Sequence, residues 1–258
     1  MTKLREAALP ALQVDELSVA FSRADGSAVQ ALDGVSLTVE QGEFICVLGR
    51  SGHGKTTLLN AIAGLNQPQS GSIQAMGQQI SGPGVDRGVI FQRDAVFPWM
   101  RVEDNVGFGL RVAGRPRDEQ RMVALAQLEN VGLSHVAQAW PRELSGGMRA
   151  RVAVASVFAM DPPILLADEP FGALDYVTRR QLQEVLLTLW QKTRKTIFFV
   201  THDVDEALRL ATRIIVVGNG RILVDMPTNL PVPRSDEQIA SARGLELRHL
   251  LLHNLGLE

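Results

Sequence analysis

Apolar residues alternate with polar ones in LSVAF (Leu17, Val19, Phe21) and again in VSLTV (Val35, Leu37, Val39), a period of two that predicts half-buried strands. Asp25 and Gly26 between them are a turn signal, so the chain is expected to open with antiparallel strands. EFICVLG, residues 43–49, is a nearly continuous apolar run and reads as a buried strand, with KTTLLNAIAG, 55–64, as the helix that follows. SGSIQAMGQQI, 70–80, reads as short strands and glycine turns, and GVIFQ, 88–92, as a strand ending at Gln92. From about residue 93 to 160 the period becomes helical, most clearly in EQRMVALAQLENVGL and after LSGG, which predicts a helical insertion. The earlier pattern resumes with PILLADEP, a helix over about 178–191 with Leu182, Val185, Leu186 and Leu189 on one face, then TIFFVTH, a short helix, RIIVVGNG and RILV. Strands alternating with helices imply an α/β fold with a mainly parallel sheet. PTNLPVPRSDEQ, bearing prolines, reads as a linker. RGLELRHLLLHNLGLE reads as a terminal amphipathic helix, for which a regulatory tail and a packing helix are both open.

The 258 residues are enough for one large core with a satellite subdomain. A formal net charge of −2 argues against a surface dominated by nucleic-acid phosphate contacts. The single cysteine, Cys46, lies in an apolar run and rules out a disulfide within the chain. The start, MTKLREAALPALQV, carries no secretion signal, and no stretch approaches the roughly 18 apolar residues needed to cross a bilayer. A membrane role is therefore expected to come through a partner.

GRSGHGKTT, residues 49–57, fits the phosphate-loop pattern G-x-x-x-x-G-K-[ST] in the strand-turn-helix context it needs. Gly49, Gly52 and Gly54 free the backbone to curl N–H groups around a triphosphate, Lys55 reaches its outer oxygens, and Thr56 offers a hydroxyl to Mg²⁺. ILLADEP ends a predicted core strand on Asp168 and Glu169, where open α/β sheets place ligands. Asp168 suits the metal; Glu169 suits a general base, a contribution worth about 10² to 10⁴ in rate. This strand is expected next to the phosphate-loop strand. THD, 201–203, follows the next apolar run and brings His202 to the same edge, within reach of a γ-phosphate, while Gln92 suits metal or water. LSGGM, 144–148, is a second anion-binding helix start, with Ser145 giving a hydroxyl and Gly146 and Gly147 exposing backbone. Two such starts in one chain suit a ligand closed between two head-to-tail copies.

GRSGHGKTT, Gln92, LSGGM, ILLADEP, ALD at 173–175 and His202, in this order, resemble the ATPase subunit of an ABC transporter. The resemblance implies a P-loop NTPase (RecA-like) α/β core with an N-terminal antiparallel β layer and an inserted helical subdomain. It implies one domain over 11–230, with core segments 11–92 and 161–230 and a helical subdomain at 93–160, then a linker and C-terminal helix at 231–258. ATP and Mg²⁺ are the implied ligands. Phosphate-loop roles fall on Gly49, Arg50, Ser51, Gly52, His53, Gly54, Lys55, Thr56 and Thr57, and Phe21 resembles the aromatic residue that stacks on adenine. Metal and water contacts fall on Gln92, the contact to the opposite ATP on Ser145, Gly146 and Gly147, metal on Asp168, general base on Glu169, dimer coupling on Asp175 and γ-phosphate sensing on His202. The implied partners are a second copy, a transmembrane permease gripped by the helical insertion and, indirectly, a periplasmic solute-binding protein; nucleic acid is not among them. The implied place is the cytoplasmic face of a bacterial inner membrane, as a peripheral subunit.

Residues 81–110, DEPFGALD, LTLW and THDVDEAL resemble the nitrate, sulfonate and taurine importer branch, with bicarbonate and thiamine-precursor pyrimidine importers as neighbours. Phe21 stands where tyrosine is frequent, Met148 where glutamine is usual and Ser156 where arginine is common; His53 occupies a variable position. Stacking survives the first change because the π face is kept. Two other readings are a soluble ABC-type ATPase without a permease and a module that holds ATP without turning it over. The first lacks its usual duplicated cassettes or coiled-coil inserts here, and Lys55, Asp168, Glu169 and His202 argue against the second.

Overall fold

The alternation at the N-terminal end becomes two long antiparallel strands, β1 (Leu12–Ser22) and β2 (Ala28–Val39), in the computed structural model, which describes residues 9–22, 27–92 and 96–257. The predicted Asp25–Gly26 turn lies outside the described residues. The apolar run at 44–48 is β3 (Phe44–Leu48), buried at every position, and α1 (Lys55–Ile62) follows the glycine-rich turn. β4 (Ser70–Ala75) pairs with β1 and carries the two-residue β5 (Gln78–Gln79), giving a four-stranded antiparallel sheet in the order β2-β1-β4-β5.

β6 (Arg87–Ile90) returns the chain to the central sheet. Helices α2 (Val102–Val106), α3 (Phe108–Val112), α4 (Arg117–Asn130) and α5 (Gly146–Ala159), with two 3₁₀ turns between α4 and α5, occupy the stretch read as helical. Then come β7 (Ile164–Asp168), α6 (Tyr176–Thr193), β8 (Thr196–Val200), α7 (Val204–Leu210), β9 (Arg213–Gly218), β10 (Arg221–Pro227), α8 (Asp236–Ile239) and α9 (Ala242–Asn254).

The six-stranded sheet runs β10-β9-β3-β8-β7-β6, parallel except for the β9-β10 hairpin. This corrects one expectation: β7, bearing the carboxylates, is not beside the phosphate-loop strand β3, because β8 lies between them. β8 pairs in parallel with both, and its TIFFV side chains are buried on both faces, as a central parallel strand requires. A strand's own residues say that it is central but not which neighbours it has.

PTNLPVPRSDEQ, residues 227–238, read as a linker, is anchored. Arg234 is buried, donating to the carbonyls of Leu208, Ala211, Leu230 and Pro231 and to Thr228 Oγ1. Burial without a carboxylate partner pulls its pKa down to about 10. Leu208 and Ala211 close α7, so the guanidinium satisfies carbonyls that the helix end leaves open. α9 lies against α7 and buries Leu247 and Leu251.

Candidate active site at the edge of the parallel sheet

The turn between β3 and α1 depends on glycine at defined points. Gly52 and Gly54 adopt φ of 80° and 101°, and a Cβ on Gly54 would lie 2.5 Å from the Ala31 carbonyl oxygen. At Gly49 a Cβ would lie 2.4 Å from the Val217 carbonyl oxygen. The loop is held from outside through backbone at His53, whose N–H donates to Arg50 O and whose carbonyl accepts from Gly220 N. Arg50 and Ser51 are exposed, and Thr57 sits half-buried in the first turn of α1. Because the N-cap of α1 is Gly54, no side chain closes on its first N–H groups, which remain donors for an anion.

Lys55 is 5% exposed. Its ammonium donates to the carbonyls of Gly49 at 2.8 Å and Arg50 at 3.2 Å and stands 3.8 Å from Glu169 Oε1. Burial lowers its pKa, opposed by the charges of Glu169 and Asp168. Thr56 Oγ1 donates to Asp168 Oδ1 at 3.1 Å, which brings the end of β7 to the phosphate loop across the intervening strand. Burial raises the Asp168 pKa, the Thr56 bond opposes it, and Glu169 adds to the rise.

Glu169 follows β7 in a left-handed conformation, φ 44°, with its N–H bonded to Val200 O on β8. A non-glycine residue there carries backbone strain. That turn aims the carboxylate at His202, whose Nδ1 lies 3.0 Å from Glu169 Oε2, and Gln92 Nε2 donates to the same oxygen at 3.3 Å. Gln92 lies two residues beyond β6, not at its end as the pattern suggested. Lys55, Thr56, Gln92, Asp168, Glu169 and His202 are thus one connected group drawn from four strand ends.

Phe21 is half-exposed on β1 opposite Val29, two residues along β2 from the Ala31 carbonyl that faces Gly54. Ser145, Gly146 and Gly147 sit elsewhere: no hydrogen bond or ion pair among the described residues joins them to 49–57. Ser145 caps α5, its Oγ accepting from Met148 N at 3.2 Å, and Gly147 meets α6 so closely that a Cβ would lie 2.2 Å from Thr178 Cγ2. Asp175 caps α6, accepting from Thr178 N. At position 156, where the resemblance has arginine, Ser156 Oγ donates to Val152 O within α5.

Sequence reasoning passed over the polar residues flanking His202. Thr201 Oγ1 donates to buried Glu206 Oε2 at 2.5 Å, and Asp203 accepts from Arg179 Nη1 at 3.0 Å. The only local signal was their closeness to His202. A groove of about 870 Å³ opens beside Gln92, lined by Phe91, Phe97, Trp99, Arg142, Arg149 and Leu174 among others, with Trp99 71% exposed.

The family profile described as ABC transporter matches residues 32–172. The chain belongs to the ABC transporter family. This cassette is 50% identical over 206 residues to the taurine import ATP-binding protein TauB of Rhizobium johnstonii, covering 80% of this chain and 79% of that one. It is 44% identical over 239 residues to the nitrate import ATP-binding protein NrtD of Synechocystis sp., covering 92% and 88%. A dimeric ATP-binding cassette solved in a post-hydrolysis state with ADP and Pi superposes at a TM-score of 0.74 and 29% identity, over 84% of this chain and 98% of that one. The cassette is an ATPase with the P-loop NTPase fold of this family.

Proposed function

We propose that this ATPase hydrolyses Mg²⁺-ATP between two copies of itself arranged head to tail, and so drives uptake of a small anion through a membrane permease. The observation that carries the reading is the convergence of Lys55, Thr56, Gln92, Asp168, Glu169 and His202 on one sheet edge. The capped Ser145–Gly147 turn, exposed at Ser145 and Gly146, has no hydrogen bond to that edge among the described residues, which supports completion by a second copy.

The Thr56 hydroxyl and Asp168 carboxylate are oxygen donors that fit Mg²⁺, and when bound the ion neutralises charge on the phosphates. Phe21 stacks on the base. Backbone N–H groups of 49–57 and the Lys55 ammonium hold the phosphate oxygens. Gln92 and His202 orient the Glu169 carboxylate, which accepts the proton of the attacking water. Asp175 lies on the inter-subunit surface. The aromatic groove beside Gln92 suits a permease segment, which would pass nucleotide state to the pore. No described helix is long and apolar enough to cross a membrane; the place proposed for the subunit, the cytoplasmic face of the membrane, follows from its permease partner. The names of the taurine and nitrate relatives support a sulfonate or nitrate cargo, presented to the permease by a periplasmic binding protein.

Glu169→Gln should lower phosphate release by about 10² to 10⁴ and leave an ATP-dependent dimer detectable by size-exclusion chromatography. Unchanged turnover would remove Glu169 as the base; a monomer in saturating ATP would remove the shared site.

A further inference from the structure

His202 is bracketed by two residues whose side chains are pinned from different sides. On one side Thr201 Oγ1 accepts from Asp203 N at 3.1 Å and donates to Glu206, whose other oxygen accepts from Gln183 Nε2 of α6 at 3.0 Å. On the other side Asp203 caps α7 through Oδ1, accepting from Asp205 N and Glu206 N, which leaves Oδ2 for Arg179. Arg179 lies in the first turn of α6, and its second arm, Nη2, donates to the Leu174 carbonyl at 3.1 Å. Leu174 immediately precedes Asp175, the cap of α6. One planar guanidinium therefore ties the turn at 174–175 to the turn at 202–203, with both ends held by direct hydrogen bonds.

From this bridge we propose that Arg179 is a positioning residue: it sets His202 against Glu169 according to the placement of the Leu174–Asp175 turn. The inference rests on the reading above, in which Asp175 faces the second copy. The guanidinium fork is rigid, so movement of the Leu174 carbonyl is passed to Asp203 at fixed span. Asp203 is adjacent to His202, whose Nδ1 sits at hydrogen-bond distance from the Glu169 carboxylate. A shift at the inter-subunit turn thus changes the alignment of the general base without any contact between Arg179 and ATP. Lysine cannot replace it, since one ammonium on a flexible stem does not span two acceptors with fixed geometry.

The test compares the intact chain with Arg179→Met and Arg179→Lys by kcat and KM for ATP hydrolysis, by the dissociation constant of Mg²⁺-ATP and by thermal unfolding. Arg179→Met is expected to lower kcat roughly tenfold, as misplaced catalytic groups do, while KM and the dissociation constant stay within about twofold. Arg179→Lys, which keeps the charge beside Asp203, should fold as wild type and still show the kcat loss without a KM change. Wild-type kcat in the lysine variant overturns the assignment. So does a parallel loss of kcat, ATP affinity and melting temperature in both variants, which is what a purely structural arginine would give. A wild-type chain that neither hydrolyses ATP nor dimerises as Glu169→Gln sinks the underlying reading and this proposal with it. Hydrolysis and dimerisation intact, with Arg179→Lys unaffected, sinks the proposal alone.

Discussion

Two helices in this cassette begin at glycine-rich turns, and they begin in opposite ways. α1 starts at Gly54, left-handed and without a side-chain cap, so its first N–H groups face outward beside a buried lysine. α5 starts at Ser145, which closes on Met148 N, and Gly147 is wedged against Thr178. The first turn is wired to the carboxylates through Thr56 and Lys55; the second bonds to its own helix through Ser145 and packs against α6 at Gly147. Two glycine-rich helix starts thus leave their first N–H groups in opposite conditions, open at α1 and closed by a serine hydroxyl at α5.

The difference can be broken most severely at the first turn. Lys55→Ala removes a charge-assisted contact and is expected to weaken Mg²⁺-ATP binding about 100-fold, measured by titration with a fluorescent nucleotide. An unaltered dissociation constant would take the lysine out of the phosphate site. At the second turn Gly147→Ala drives a methyl into Thr178 Cγ2 and should cost about 2 kcal/mol of stability in urea unfolding. Thr178→Ser in the same chain removes that methyl contact and should restore most of the loss; no recovery would mean the contact is not the cause. The gentlest probe is Ser145→Ala, expected to cost about 1 kcal/mol as a lost cap. The same unfolding experiment on Gly54→Ser should show a net loss, because the backbone there is left-handed and the added Cβ meets the Ala31 carbonyl; a stabilised variant would erase the contrast between the two helix starts.

The grouping of the candidate residues was legible because it is written in short stretches. GRSGHGKTT fixes loop, lysine and hydroxyl together, and an acidic pair after an apolar run fixes the carboxylates at a strand end. Strand order was not legible: PILLAD and TIFFV each read as buried strands, but nothing in either says that β8 separates β7 from β3. The reach of Gln92 to Glu169 depends on two residues beyond β6 that no period predicts. Arg179 and Glu206 carried no local signal, since Asp203 lies 24 residues from Arg179 and Gln183 lies 23 from Glu206, partners that meet only once α6 and α7 are side by side. Arg234 failed for the same reason: prolines and polar residues are the signature of a loose connection, and a carbonyl cage leaves no trace in composition.

That cage governs where the chain can be shortened. A truncation ending just before residue 234 would remove the Arg234 bonds to the Leu208 and Ala211 carbonyls, leaving Thr228 Oγ1 as a donor to Ala211, and so loosen the end of the helix that follows His202. One ending just after residue 235 would remove α8 and α9 but keep the guanidinium in place. Arg234 is therefore needed by the body that carries His202 but does not mark its end, because Leu247 and Leu251 of α9 belong to the same core as Leu208 and Ala211.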